Sequence, residues 1–361
     1  MTDSEYMRAA LELAKQGCGK VDPNPLVGAI LVKDGKVIGK GFHQKYGGLH
    51  AERNALADCT ESPAGATLYV TLEPCCHWGK TPPCTDAILA AGIRRVVIGS
   101  SDPNPLVSGK GVRILREHGV EVTEGIFEKE CDQLNEPFLY YIQTKLPFVI
   151  LKYAMSMDGK IAAVSGKSQW ITGEFARQRV QQDRNRCMAV MTGVGTVLAD
   201  NPRLTCRIPD SRNPVRIVCD THLRTPVSSY IVATAAKVPT ILATCCTDAE
   251  KQVPYRKAGC EILMLPEKNK HTDLKALVTE LGAKGIGSIL LEGGAALNWS
   301  ALQSGIVNKV QAYIAPKILG GAEAKTPVGG LGADSPDHAF HLTEPTVTRL
   351  GSDLLLESRV V

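Results

Sequence analysis

The chain has 361 residues, 44% hydrophobic and 22% charged, which suits a globular protein with material for two buried cores. Its 41 basic against 37 acidic side chains leave a net charge of +4, too little to argue for a nucleic-acid partner. Residues 1–6 lack the basic start and apolar core of an export signal, no apolar run approaches a membrane span, and twelve cysteines are spread widely, so a reduced, cytoplasmic protein with no membrane attachment is expected.

Met7, Ala10, Leu11 and Ala14 recur at helical spacing, predicting a helix over residues 4–16 that Gly17 and Gly19 end. Residues 27–32 and 36–42 read as a strand hairpin turning at Asp34-Gly35. Helices are predicted over 51–58, 86–91 and 111–118, and strands over 67–71, 95–99 and 120–123. A second series begins after Thr144-Lys145-Leu146-Pro147. Its strands are predicted at 148–153, 189–191, 215–219, 240–243, 261–264, 288–291 and 309–315, and its helices at 174–186, 274–281 and 295–303. Such alternation predicts two α/β domains, residues 1–145 and 146–361. The densest basic stretch, Arg177, Arg179, Arg184 and Arg186, reads either as a solvated helix face or as a pocket for a small anion.

The first chemical motif is His50-Ala51-Glu52, followed by Pro74-Cys75 and by Cys84. An imidazole and two thiolates can hold zinc and leave its fourth position for water, and a carboxylate two residues from the histidine can move that water's proton to a leaving amine. Both His50 and Cys84 stand at predicted helix starts, where the positive helix end favours a thiolate. Eight residues separate Cys75 from Cys84, wider than the usual C-x-x-C, and Cys76 is a second candidate ligand. The alternatives are a closed structural zinc site with His77 as fourth ligand, or merely buried cysteines.

In the second series, Glu292-Gly293-Gly294 follows a strand and precedes a helix, and Gly193-Val194-Gly195-Thr196 is a second glycine turn after a strand. Such turns let backbone N–H groups meet phosphate, and two suit a dinucleotide better than one. The G-x-G-x-x-G spacing is absent, so a Rossmann domain is not expected. Guanidinium chemistry makes Arg184 and Arg207 candidates for a substrate phosphate. Trp170 could stack on a nicotinamide or sit in the core.

The run Pro74-Cys75-Cys76-His77-Trp78-Gly79-Lys80-Thr81-Pro82-Pro83-Cys84 resembles the riboflavin-biosynthesis deaminases, as do Pro23-Asn24-Pro25-Leu26-Val27-Gly28 and Ser101-Asp102-Pro103-Asn104-Pro105 with Gly109-Lys110-Gly111. Lys152, Met157-Asp158-Gly159-Lys160, Ser168-Gln169-Trp170-Ile171-Thr172, Ala199-Asp200-Asn201-Pro202 and the two glycine turns extend the resemblance to the bacterial bifunctional deaminase–reductases, over nearly the whole chain. Cys76 stands where serine is common, and Arg53-Asn54 where Val-His is often seen.

The resemblance implies a cytidine-deaminase-like domain followed by a dihydrofolate-reductase-like domain. It implies hydrolytic deamination of 2,5-diamino-6-(5-phosphoribosylamino)pyrimidin-4-one with zinc, then NADPH-dependent reduction of the ribosyl side chain to ribityl. It makes His50, Cys75 and Cys84 the zinc ligands, Glu52 the proton shuttle, and Asn24, His77 and Lys80 the substrate contacts of the first site. In the second, Ala154, Trp170, Thr196, Asp200, Gly294, Ala295, Ala296, Leu297, Asn298, Trp299 and Ser300 would meet the cofactor. Ser168, Arg184, Leu204, Arg207 and Glu292 would meet the substrate. Lys152, Asp200 and Glu292 are candidates for the reductase proton, and the sequence does not choose among them. A homo-oligomer, dimer or tetramer, is the expected assembly. The competing readings are a tRNA or nucleoside deaminase with an accessory domain, and a zinc-binding regulatory module.

Overall fold

In the computed structural model, which describes residues 1–361, the chain divides into two units, Met1–Lys145 and Leu146–Val361. Thr2 caps the first helix of unit one with a reciprocal Thr2–Glu5 capping box. In chain order this unit holds α1 (Asp3–Lys15), β1 (Gly28–Lys33), β2 (Lys36–Phe42), α2 (Ala51–Ala57), β3 (Thr67–Leu72), α3 (Cys84–Ala90), β4 (Arg95–Ser100), α4 (Lys110–Glu117), β5 (Glu121–Thr123) and α5 (Glu128–Thr144). The sheet order is β2-β1-β3-β4-β5. The β1–β2 and β1–β3 pairs are antiparallel, and β3, β4 and β5 run parallel.

The period of two along the strands sorts this core into layers. Ala29, Leu31, Leu68, Val70, Val96 and Ile98 pack against Ala51 and Ala55 of α2, Ile88 of α3 and Leu115 of α4. The intervening residues Ile30, Val32, Tyr69 and Val97 face Met7, Ala10 and Leu11 of α1 and Cys131 of α5. Helices therefore cover both faces. The 17-residue α5 was not among the predicted helices. It carries Pro137 in its interior, and its buried face includes Cys131 and Asn135 rather than an aliphatic stripe, so it lacks the helical signature. Asn135 spends its amide on the Leu26 backbone, accepting at 2.8 Å and donating at 2.9 Å.

Unit two holds β6 (Phe148–Ser156), α6 (Glu174–Arg186), β7 (Ala189–Gly193), α7 (Val194–Asp200), β8 (Val215–Cys219), α8 (Tyr230–Ala233), β9 (Thr240–Thr244), α9 (Ala249–Lys257), β10 (Glu261–Met264), β11 (Glu267–Lys268), β12 (His271–Thr272), α10 (Leu274–Ala283), β13 (Ser288–Leu291), α11 (Ala295–Gln303), β14 (Lys309–Ala315), β15 (Thr346–Leu350) and β16 (Asp353–Arg359). Its main sheet has the order β10-β9-β8-β7-β13-β6-β14-β16-β15. The strands run parallel from β10 to β14, and β16 and β15 close one edge antiparallel. Parallel strands buried on both faces need apolar runs, and residues 289–291 of β13 and 148–151 of β6 supply them. Register places Leu291 beside Leu151. The next residues, Glu292 and Lys152, therefore meet at the C-terminal edge of the sheet. No helix in the chain is long and apolar enough to cross a membrane.

Candidate active sites

In unit one, His50 is the extended N-cap residue of α2, and Glu52 lies buried in the first turn of that helix. Cys75 follows the end of β3, and Cys84 opens α3. The wide Cys75–Cys84 spacing is closed by backbone: the N–H groups of Cys84 and Thr85 donate to the Cys75 carbonyl at 3.0 and 3.2 Å. The intervening segment is thus a loop that returns to its start and brings the two sulfurs together.

His50 Nδ1 lies 3.4 Å from Sγ of both Cys75 and Cys84, and the three ligand atoms fall within 4.8 Å of one another. Tetrahedral zinc with ordinary Zn–N and Zn–S lengths asks for an N···S separation of about 3.6 Å. The donor set and its spacing fit the metal. His50 Nε2 sits 3.4 Å from Thr81 Oγ1, which leaves Nδ1 as the metal-facing nitrogen. Hydrogen bonds with Cys84 and His50, resisted by burial, hold the Cys75 thiol well below its ordinary value. Burial and the neighbouring Cys75 thiolate push the Glu52 carboxyl up to about 7.

Two neighbours resolve the sequence alternatives. Cys76 Sγ points to the Leu106 carbonyl at 3.6 Å and is not among the clustered ligands. His77 also stands outside that cluster; its Nδ1 is buried and has no partner. Asn24 Nδ2 lies 3.1 Å from His43 Nε2, and His43 Nδ1 lies 3.0 Å from the Leu49 carbonyl. One tautomer satisfies both bonds, with Nδ1–H donating to Leu49 and Nε2 accepting from Asn24. The His43 ring meets the His50 ring edge-on at 5.3 Å, so Asn24 connects to the cluster through a histidine that the motif reading missed. Lys80 is exposed, with Nζ 3.9 Å over the Tyr46 ring. Of the two departures from the family pattern beside the histidine, Arg53 donates to the Pro83 carbonyl at 2.8 Å and Asn54 to the Phe42 carbonyl at 2.8 Å.

Glu73, immediately before Pro74-Cys75, was also missed. Its buried carboxylate accepts the N–H groups of Asp102, Gly109 and Val112 at 3.4, 3.0 and 3.3 Å. It ties the Asp102–Gly111 motif to the strand end that carries Cys75.

In unit two, a cavity of about 820 Å³ opens along the C-terminal ends of β6, β13, β7 and β8. Arg184 and Glu292 form a bidentate pair, Nε to Oε1 at 2.6 Å and Nη2 to Oε2 at 3.0 Å, and Arg184 Nη1 donates to the Thr205 carbonyl at 3.1 Å. Lys152 Nζ lies 3.7 Å from Glu292 Oε2. Burial lowers the Lys152 pKa, although Glu292 opposes the shift. Burial alone would raise the Glu292 carboxyl, but Arg184 and Lys152 together outweigh it and hold it at about 2.

Arg184 lines the cavity with its fork engaged by Glu292 and Thr205. Arg207 is exposed at the cavity, and its guanidinium remains open to an anion. Ser168, Leu204, Asp200, Thr196 and Ala154 line the same cavity. Trp170 does too, 61% exposed and stacked under the Arg177 guanidinium at 4.8 Å, so it is not a core aromatic. Gly294, Ala295, Ala296, Leu297, Asn298 and Ser300 also line it. Trp299 does not: the helical turn carries its ring away, edge-on to Phe340 at 5.7 Å.

Both glycine turns border this cavity and open helices, α7 at Gly193 and α11 at Gly294, without a capping side chain. Side chains at the second turn would crowd it: a Cβ on Gly293 would lie 2.6 Å from Asn298 Oδ1, and one on Gly294 3.3 Å from Thr196 Oγ1. Asn298 Oδ1 is buried without a partner. Open helix N-termini and bare backbone in one cavity fit a dinucleotide phosphate, and the orphaned Asn298 Oδ1, an acceptor, fits a hydroxyl or amide donor of the same ligand.

Residues 1–100 match the cytidine and deoxycytidylate deaminase zinc-binding region, and residues 147–356 match the RibD C-terminal domain. The riboflavin biosynthesis protein RibD of Actinobacillus pleuropneumoniae is 54% identical over 361 residues, covering 100% of this chain and 96% of that protein. The RibD protein of Escherichia coli is 40% identical over 372 residues, covering 99% of each. Among solved structures, the Thermotoga maritima diaminohydroxyphosphoribosylaminopyrimidine deaminase/5-amino-6-(5-phosphoribosylamino)uracil reductase superposes with a TM-score of 0.88 at 40% identity, and Acinetobacter baumannii RibD with 0.87 at 36%, each covering 99% of both chains. The fold is cytidine-deaminase-like in the N-terminal domain and dihydrofolate-reductase-like in the C-terminal one. The chain belongs to the RibD family of riboflavin biosynthesis proteins, and it is a bifunctional enzyme that joins a zinc-dependent deaminase to an NADPH-dependent reductase.

Proposed function

We propose that the first site deaminates 2,5-diamino-6-(5-phosphoribosylamino)pyrimidin-4-one and that the second reduces the ribosyl group of the product to ribityl. The carrying observation is that one chain holds a His50–Cys75–Cys84 ligand set with a buried carboxylate, and also a cavity bordered by two uncapped glycine turns and a Lys152–Glu292–Arg184 cluster. The name of the Thermotoga relative states both reactions of that protein.

In the first site, His50 Nδ1 and the thiolates of Cys75 and Cys84 would hold zinc, and His77 is left to meet substrate. Zinc supplies Lewis-acid activation of the attacking water. Glu52 takes the water proton and returns it to the departing amine, so that water and the amino-pyrimidine leave as ammonia and the pyrimidine carbonyl. Asn24, His77 and Lys80 bind the substrate, Lys80 being the lysine within the Cys75–Cys84 loop.

In the second site, Ala154, Trp170, Thr196, Asp200 and the Gly294-to-Ser300 turn, Trp299 excepted, hold the cofactor. Bound there, NADPH would supply the hydride for C1′, balanced by opening of the bond between C1′ and the ribose ring oxygen, which takes the proton as a hydroxyl. Ser168, Leu204 and Arg207 position the substrate, and Arg207 meets its phosphate. Lys152 delivers the proton: its ammonium is desolvated, and Glu292, clamped by Arg184, keeps it in place. Asp200, exposed at the end of α7, serves binding rather than proton transfer.

The proposed setting is cytoplasmic, supported by twelve cysteines that form no disulfide, and the proposed assembly is a dimer or tetramer, which light scattering reads directly. The test of function supplies purified protein with zinc, the diamino-pyrimidinone ribotide and NADPH. Ammonia release followed by NADPH oxidation is expected; NADPH oxidation without ammonia, or neither, overturns the reading.

A further inference from the structure

The cavity of unit two extends beyond the groups assigned above. Neighbouring strands β6, β13, β7 and β8 set its long direction. Lys152 and Glu292 stand at the β6–β13 end. Thr221 and Arg224, in the loop after β8, and His271, in β12, line the other end. Three strand spacings of 4.7–4.9 Å separate β6 from β8, about 14 Å. A dinucleotide that crosses both glycine turns with its nicotinamide toward Lys152 sends its adenosine toward Arg224.

The loop carrying Arg224 is firmly built. Asp220 is fully buried, and its Oδ2 accepts from Thr225 N–H and Thr225 Oγ1, each at 2.7 Å. Leu223 is buried with a left-handed φ of 50°, and Tyr255 donates to the Thr225 carbonyl at 2.7 Å. Thr272 N–H donates to Thr221 Oγ1 at 3.2 Å, tying this loop to the strand that bears His271. Between two buried residues, Arg224 is exposed at the cavity, with no ion pair or hydrogen bond inside the protein.

A nucleotide site that prefers a free ribose 2′-hydroxyl commonly offers it a carboxylate, whereas an arginine accommodates a 2′-phosphate. Asp220, the carboxylate that opens this loop, is turned inward onto Thr225 and does not line the cavity. The cation is turned outward. We propose that Arg224, aided by His271, reads the 2′-phosphate of the cofactor and makes the reductase select NADPH over NADH. The inference rests on the cofactor reading of this cavity and adds the group that discriminates. A planar guanidinium suits a phosphate dianion through paired charge-assisted hydrogen bonds, and no such gain exists for the hydroxyl of NADH.

The experiment is calorimetric titration of the full-length protein with NADPH, NADH, 2′,5′-ADP and 5′-AMP, independent of turnover. Wild type should bind 2′,5′-ADP more tightly than 5′-AMP. Arg224→Ala should weaken 2′,5′-ADP and NADPH by about 10- to 100-fold and leave 5′-AMP and NADH unchanged. Arg224→Lys should restore part of the loss, and His271→Gln should lose less than Arg224→Ala. Arg224→Gln, which keeps a polar stem, repeats the measurement if the alanine variant unfolds. Wild-type protein that binds NADPH while Arg224→Ala and Arg224→Gln lose nothing, or lose 5′-AMP equally, overturns this inference alone. Wild-type protein that binds no nicotinamide dinucleotide overturns the cofactor reading and this inference with it.

Discussion

Arg184 and Glu292 lie 108 residues apart in the chain and meet through two parallel hydrogen bonds of 2.6 and 3.0 Å at the floor of the reductase cavity. The pair is buried, and Lys152 stands 3.7 Å from the same carboxylate. Removing one partner of a buried, hydrogen-bonded pair leaves the other charge stranded at a cost of about 3–5 kcal/mol. Arg184→Ala should therefore lower the denaturant midpoint of the reductase unit and slow NADPH oxidation. Ammonia release should persist, because no residue of the His50–Cys75–Cys84 site belongs to that network. Equal loss of both activities would argue against the assignment.

The same carboxylate sets a pH dependence. Glu292 titrates at about 2 in the folded protein against an ordinary value of 4.5, so the folded state holds its charged form more tightly than the unfolded chain does. A depressed folded pKa gives stability that is complete above about 4.5 and is lost as pH falls from there through 2. The depression is worth about 3 kcal/mol. Urea unfolding of the reductase unit should thus weaken between pH 5 and pH 2. Glu292→Gln should flatten that limb; an unchanged acid limb would dissociate it from this residue.

The motif residues were legible because their chemistry is local. His50 and Glu52 share one helix start, and the strands 36–42, 261–264, 288–291 and 309–315 have the bounds that local pattern and turn residues predict. What was not legible depends on partners far along the chain. The pairing of Arg184 with Glu292 joins residues that no local spacing connects, and Cys76 looks like a competing ligand until its sulfur is seen to face Leu106. Helices α5 and α9 were hidden by Pro137 and Pro254 in their interiors. The edge strand β15 was hidden by its exposure: Thr346 and Val347 both face solvent, so no alternation marks it.

Glu52 carries the only carboxylate within two residues of the metal-facing histidine, and it is buried in the first turn of α2. Glu52→Gln keeps its size while removing the proton acceptor. Ammonia release should fall by about 10²- to 10⁴-fold. Bound zinc, measured by atomic absorption, should remain near one per chain, and reduction of pre-deaminated substrate should be unaffected. Undiminished ammonia release would sink the proton-shuttle role.

Cys84 is fully buried and is one of three metal-facing atoms. Cys84→Ala should empty the site of zinc and abolish ammonia release, as should prolonged chelation of the wild type. Cys76→Ser should retain both zinc and activity, because its sulfur serves only the Leu106 carbonyl at 3.6 Å. Loss of zinc from Cys76→Ser would require a ligand exchange that the geometry does not provide.

Gly111 tests how the metal loop is supported. A Cβ built there would lie 2.3 Å from the Pro74 carbonyl oxygen and 3.2 Å from Glu73 Oε1. Pro74 is backbone and cannot rotate aside, and Glu73 is committed to three N–H groups of the 102–112 segment. Gly111→Ala must therefore displace either α4 or the strand end that leads into Cys75, an overpacking cost of roughly 1–3 kcal/mol. Shifting Cys75 against His50 degrades a ligand set whose N···S distances now suit zinc, so zinc affinity should fall along with stability. A competition titration with a chromogenic chelator measures the affinity, and thermal unfolding measures the stability. A variant that loses stability but keeps full zinc affinity would mean that α4 yields and the Cys75 loop does not.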